Sequence, residues 1–130
     1  WVEKKLLHVL HHEGVGCIPF SPLAQGLLTN KYLAGIPADS RAASHRGNGA
    51  LEEGAVTEDK LRKIRALNEI AQQRGQSLAH FALAWILKDP RISSVLIGAS
   101  KPAQIVDSIG CLKNISFSAG ELKKINGILG

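Results

Sequence analysis

The chain has 130 residues, of which 45% are hydrophobic and 21% charged, the balance of an ordinary globular protein rather than a disordered tail. No uninterrupted apolar run approaches the ~18 residues of a membrane span, and the short patch after Trp1–Lys5 does not read as a signal peptide. The net charge is +5, but the six aromatics lie outside the basic runs, which argues against nucleic acid and leaves an anionic small ligand as the better match.

Two cysteines, Cys17 and Cys111, are too few for a disulfide scaffold and fit a reducing, cytoplasmic setting. The sequence contains no Met and opens at Trp1, which points to a processed product or a piece of something longer. Its length is that of one domain, residues 1–130.

In chain order, Leu6, Leu7, Val9 and Leu10 share a helical face within Lys4–Glu13, and Gly14 stops that helix. The short apolar run Val15–Phe20 then predicts a buried strand. From Thr29 to Val56 periodicity fades among turn signals, the pattern of a long functional loop such as a lid. Thr57 caps the next helix, whose apolar face is Leu61, Ile64, Leu67, Ile70 and Ala71, and Gly75 ends it. Ser77 caps another helix with Leu78, Phe81, Ala82, Trp85 and Ile86 on its apolar face, closed by Asp89-Pro90.

A second strand is predicted over Ile92–Ile97, ending at Gly98. A helix starting near Ser100 follows, from Lys101-Pro102 through Leu112. Ser118 and Glu121 form a capping box for the last helix, which faces inward through Leu122, Ile125 and Leu129. Two strands separated by helices predict a parallel α/β arrangement. Two strands make no covered sheet, so their open edges predict self-association, as a homo-oligomer, or pairing with further chain.

Little of the sequence carries chemistry by itself. His8, His11 and His12 have i, i+3, i+4 spacing but lack the Glu of a zinc-binding helix, and read as a solvated helix end. His80 lies among apolar neighbours and reads as a partly buried structural residue; Cys17 and Cys111 read as packing residues. Two segments stand out. Ser21-Pro22-Leu23-Ala24-Gln25-Gly26 follows a predicted strand, where α/β folds build ligand sites. Gly98-Ala99-Ser100-Lys101-Pro102-Ala103-Gln104 joins a strand to a helix N-terminus that, with a hydroxyl and an ammonium, favours phosphate.

Phe20–Gly26, followed by Lys31-Tyr32, Gly35-Ile36-Pro37 and Ser40-Arg41, resembles the cofactor loop of aldo-keto reductases. Ser94–Ser100 with Gln104 and Asp107-Ser108 resembles the same family's site for the adenosine 2′-phosphate of NADPH, and Gln76–Ala79 with Ala84-Trp85 resembles its penultimate helix. The likeness runs through the whole chain. It is strongest to the branch holding bacterial glyceraldehyde-3-phosphate reductases and voltage-gated potassium channel β subunits.

The resemblance implies the C-terminal portion of a (β/α)₈ TIM barrel: the last two strands, their helices and the C-terminal helix. It implies NADPH as cofactor and a small-molecule carbonyl substrate. Ser21, Pro22, Leu23, Ala24, Gln25 and Gly26 would line the nicotinamide ribose and pyrophosphate, with Lys31 and Arg41 neutralising pyrophosphate charge. Gly98, Ser100 and Gln104 would hold the 2′-phosphate and its ribose, with Lys101 as a nearby charge. Asp107 and Ser108 stand where the family usually has Glu-Asn against the adenine, and Asp39 where the channel subunits have an aromatic. None of the family's catalytic Asp, Tyr, Lys and His positions falls in this chain, so no catalytic residue is expected. The alternative it implies is a nucleotide-binding regulatory subunit like the channel β subunits.

Overall fold

The computed structural model describes residues 2–35 and 56–130. A wide π-helical turn, Val2–Leu6, leads into α1 (Leu7–His12), so the first helix begins two residues earlier than its pattern predicts. Gly14, at φ +66°, turns the chain out of it. The expected apolar face is not buried: Leu7 is covered, whereas Val9 and Leu6 are exposed.

The core forms where three later helices meet. α2 (Glu58–Gln73) starts at Thr57, whose Oγ1 accepts from the Lys60 N–H at 3.3 Å, and buries Leu61, Ile64, Leu67, Ile70 and Ala71. Glu58 and Asp59 in its first turn complement the helix dipole. Gly75, at φ +66°, releases the chain into Ser77, whose Oγ accepts from the His80 N–H and caps α3 (Leu78–Leu87). α5 (Ala119–Leu129) begins with the expected capping box: Ser118 Oγ accepts from the Glu121 N–H at 3.2 Å, and the Ser118 N–H donates to Glu121 Oε2 at 2.6 Å.

Ile64, Leu67, Ile70, Ala71, Leu78, Phe81 and Ile125 pack into one cluster. Each large side chain there contributes roughly 1.5–3 kcal/mol on burial. Of the expected inward face of α5 only Ile125 is fully covered, while Leu129 is exposed. Phe117 stands edge-on to both Phe81 and Trp85, at 5.6 and 5.5 Å between centroids. Tyr32, Val56 and Leu61 form a smaller cluster. No helix among the described residues is long and apolar enough to cross a membrane.

The two expected strands are corrected to something less regular. Val15–Phe20 and Ile92–Ile97 do run side by side and parallel, but only through isolated bridges, Cys17 with Ile92 and Phe20 with Leu96. The Ser93 N–H donates to the Cys17 carbonyl at 2.9 Å and the Leu96 N–H to the Pro19 carbonyl at 3.0 Å. A continuous ladder fails for two reasons. Pro19 has no N–H to give, and the Cys17 N–H is taken by the Ser93 hydroxyl at 3.2 Å. Gly16 permits that approach, since a Cβ there would sit 2.7 Å from Ser93 Oγ.

The expected burial of these segments also fails among the described residues: Phe20 is 78% exposed and Ile18 and Leu96 are each 62% exposed. Each segment is paired to the other through these bridges, and among the described residues Phe20, Ile18 and Leu96 stay exposed.

Two carboxylates tie the frame together and set its acid response. Hydrogen bonding from the Ser118 backbone, then from Arg74, holds the Glu121 carboxyl at about 2 against an ordinary 4.5. Hydrogen bonding from Arg91 holds Asp89 at about 2 in the same way. A carboxyl with a lowered folded-state pKa stabilises above its unfolded pKa, and the contribution disappears as pH falls through the folded value. Urea unfolding at a pH series is therefore expected to show steady stability above about pH 5 and a decline between about 5 and 2. Glu121→Gln should flatten that decline. An unchanged pH slope in both Glu121→Gln and Asp89→Asn would contradict the assignment.

Candidate nucleotide-binding site

The parallel pairing decides where the site can be. Because both segments run the same way, the loop after Phe20 and the turn after Ile97 leave from the same, carboxyl ends of the pair. Ser21–Gly26 and Gly98–Gln104 thus lie at one edge, where α/β folds place ligands.

The first loop is strained. Ser21, Ala24 and Gln25 adopt φ of 54°, 46° and 57°, and Gly26 follows at 96°. Left-handed backbone costs a residue with a Cβ roughly 1–2 kcal/mol, and such strain concentrates at ligand clamps and switch regions. Local hydrogen bonds hold the shape. The Ala24 N–H donates to the Ser21 carbonyl and the Gly26 N–H to the Leu23 carbonyl, each at 2.9 Å. Thr29 Oγ1 donates to the Gly26 carbonyl at 2.6 Å. Ser21 is exposed, and Pro22, Leu23, Ala24, Gln25 and Gly26 are half-buried.

A short 3₁₀ turn, Asn30–Tyr32, follows, with Thr29 as its cap. Lys31 is exposed, whereas Tyr32 is buried in the smaller core cluster and is a packing residue. Arg41, with Ile36, Pro37, Asp39 and Ser40 and most of the expected lid, lies outside the described residues.

At the second segment the helix starts where its Lys101-Pro102 signal predicts. The N-cap of α4 (Pro102–Ile109) is Lys101, and regular α-helix stops at Ile109, with a 3₁₀ turn over Gly110–Asn114 in place of the expected continuation to Leu112. Gln104 Oε1 accepts from the Ser100 N–H at 2.8 Å, the Lys101 N–H at 3.2 Å and the Ser100 hydroxyl at 3.2 Å. The Gln104 side chain therefore covers the end of the helix. The signal was local: a Gln three residues after the N-cap is half of a capping box. With Oε1 turned inward, the Nε2 amide protons are its outward donors. Gly98, Ser100, Lys101 and Gln104 are all exposed.

Farther along α4, the Ser108 hydroxyl donates to the Gln104 carbonyl at 2.8 Å, so it is spent on the helix's own backbone. Asp107 Oδ2 lies 3.2 Å from His80 Nε2 on α3. Sequence reasoning could not find this pair, because 27 positions and a strand separate its members. Burial pushes the Cys111 thiol up from its ordinary value, in keeping with a packing role. His8, His11 and His12 are exposed, and no group of metal-binding side chains occurs among the described residues.

Residues 1–129 match the model of the aldo/keto reductase family. L-glyceraldehyde 3-phosphate reductase of Escherichia coli strain K12 is 55% identical over 130 residues, covering 97% of this chain and 37% of that protein. A probable voltage-gated potassium channel subunit beta of Oryza sativa subsp. japonica is 41% identical over 122 residues, covering 93% and 37%.

Among solved structures, the glycerol dehydrogenase AKR11B4 from Gluconobacter oxydans superposes with a TM-score of 0.75 at 25% identity, covering 98% of this chain and 38% of that one. The chain thus spans little more than a third of the length of these relatives. Their shared architecture implies the barrel fold expected above. From the matched residues, the parallel pair and its two edge loops, the chain is a member of the aldo/keto reductase family.

Proposed function

We propose that residues 1–130 form the NADPH-binding, C-terminal portion of a (β/α)₈ barrel that reduces aldehydes or ketones. The observation that carries this reading is the parallel pair placing Ser21–Gly26 and Gly98–Gln104 at one edge. The identity to a glyceraldehyde 3-phosphate reductase supports it. The two free cysteines suit a reducing, cytoplasmic setting.

The donor set fits an anionic nucleotide. Lys101 offers an ammonium and Gln104 its outward amide protons, both exposed at one helix start; with the Ser100 hydroxyl turned from Gln104 Oε1 to the ligand, they would hold a 2′-phosphate, Gly98 keeping the turn small. Ser21, Pro22, Leu23, Ala24, Gln25 and Gly26 would line the nicotinamide ribose and pyrophosphate, with Lys31 and Arg41 supplying positive charge. Asp107 and Ser108 would face the adenine. Since Ser108 donates to the Gln104 carbonyl, Asp107 is the stronger of that pair.

Bound NADPH would supply the hydride; this chain's residues bind and orient the nucleotide, and none is assigned a catalytic role.

Titration with NADPH and NADH tests the reading. Each charge-assisted hydrogen bond to the 2′-phosphate contributes about 1.5–3 kcal/mol, so NADPH should bind roughly tenfold to a hundredfold more tightly. Lys101→Ala combined with Ser100→Ala should bring the two affinities together. Equal dissociation constants in the unaltered chain would overturn the 2′-phosphate assignment.

A further inference from the structure

We infer that His80 is a positioning residue for nucleotide recognition: it holds the Asp107 carboxylate so that its second oxygen accepts from the adenine amino group. This rests on the nucleotide reading above and adds to it the residue that makes Asp107 selective for the base.

The imidazole occupies a prepared space. His80 Nε2 is completely buried and has no hydrogen-bond partner, although Asp107 Oδ2 lies only 3.2 Å away. The contact is a close approach that becomes a hydrogen bond with a small rotation of either side chain. Gly110 makes room for the ring, because a Cβ at that position would sit 3.0 Å from His80 Cε1. The ring is thus lodged between α3 and the start of the Gly110–Asn114 turn, with its buried nitrogen aimed at α4.

The other side of the contact is open. The Asp107 side chain is 68% exposed, against 20% for His80. A carboxylate has two oxygens, and only Oδ2 faces the imidazole, so Oδ1 stays available to a ligand. An aspartate on an exposed helix face normally samples several rotamers, and ordering it on binding costs affinity. Once Oδ2 turns to accept from the buried imidazole, that freedom is lost before a nucleotide binds. The shorter Asp then suffices where the resembling family usually has Glu. A carboxylate acceptor also discriminates by chemistry: adenine offers an exocyclic N–H, whereas hypoxanthine has a carbonyl oxygen there and repels it.

The test is binding of NADPH and of its hypoxanthine analogue by the 130-residue chain, with His80→Leu, His80→Gln and Asp107→Asn. The unaltered chain should prefer NADPH by about three- to tenfold, the range of one lost hydrogen bond. His80→Leu should abolish the preference as fully as Asp107→Asn does, while leaving the NADPH-over-NADH ratio intact. His80→Gln, which keeps a donor, should restore part of it; a merely structural histidine would lower both nucleotides equally. Retained base preference in a folded His80→Leu chain would overturn the inference.

A second measurement needs no nucleotide. The His80 imidazole ¹⁵N resonances should move on Asp107→Asn, and unchanged resonances would show that the pair does not exist. Failure to bind either nucleotide would instead remove the nucleotide reading, and the role given to His80 with it.

Discussion

Purified by itself, the 130-residue chain is expected to oxidise NADPH no faster with 4-nitrobenzaldehyde than without it. The catalytic Asp, Tyr, Lys and His implied by the family resemblance are not expected among these residues. The chain's Tyr32 is no substitute, being buried against Val56 and Leu61. Loss of a positioned proton donor alone costs about 10²–10⁴-fold in rate.

The exposed faces of the paired segments add a physical obstacle. Among the described residues Phe20, Ile18 and Leu96 are large exposed apolar side chains on these segments, which invites association. Sedimentation should therefore show self-association of the isolated chain. Mixing with a polypeptide that carries the earlier barrel strands should shift it to a mixed complex and bring turnover. Turnover by the isolated chain would show that the proton donor lies within these 130 residues after all.

The second large effect is expected at Arg74. Its side chain is only 5% exposed, yet every nitrogen is engaged. Nε donates to Gln76 Oε1 at 2.8 Å and Nη1 to Glu121 Oε1 at 2.7 Å. Nη2 donates to the Asn114 carbonyl at 3.0 Å and to the Ser116 carbonyl at 2.9 Å. The guanidinium also lies 4.0 Å from the centre of the Phe117 ring. One residue thus joins the end of α2, the segment after α4 and the cap of α5.

Arg74→Met keeps much of the volume but takes the cation from the Glu121 carboxylate and the donor from the Ser116 carbonyl, while the Asn114 carbonyl keeps Gln76 Nε2 at 3.0 Å. Breaking a buried pair from one side typically costs about 3–5 kcal/mol, a large share of the roughly 5–15 kcal/mol that holds a domain folded. Arg74→Lys should recover little, since an ammonium cannot make the same planar fork. The double variant Arg74→Met/Glu121→Gln should be less destabilised than the sum of its parts, because the stranded charge is gone. Urea unfolding measures all four proteins. A loss below about 1 kcal/mol in Arg74→Met would mean that the network is not what ties these elements together.

Local chemistry in the sequence decided a good deal. Thr57, Ser77 and Ser118 cap α2, α3 and α5 as their residue types dictate, since a hydroxyl at that position satisfies an N–H that the helix leaves open. The apolar periodicity of Leu61, Ile64, Leu67, Ile70 and Ala71 fixed which face of α2 is buried. The order of strand-like runs and helices correctly predicted that Val15–Phe20 and Ile92–Ile97 would lie parallel, and so which loops share an edge.

Only the tertiary structure decided the rest. Whether an apolar run is buried depends on what else covers it, and among the described residues Phe20 and Leu96 stay exposed. Whether two adjacent segments form a ladder depends on which groups reach the backbone first, and the Ser93 hydroxyl reached the Cys17 N–H. Gln104 is a cap as well as a candidate ligand because its Oε1 folds back onto the Ser100 and Lys101 N–H groups. The Arg74 clasp joins residues 40 to 47 positions apart, and the His80–Asp107 pair spans 27. No local pattern encodes such contacts. They exist because the apolar faces of α2, α3 and α5 pack first and carry their polar neighbours into reach of one another.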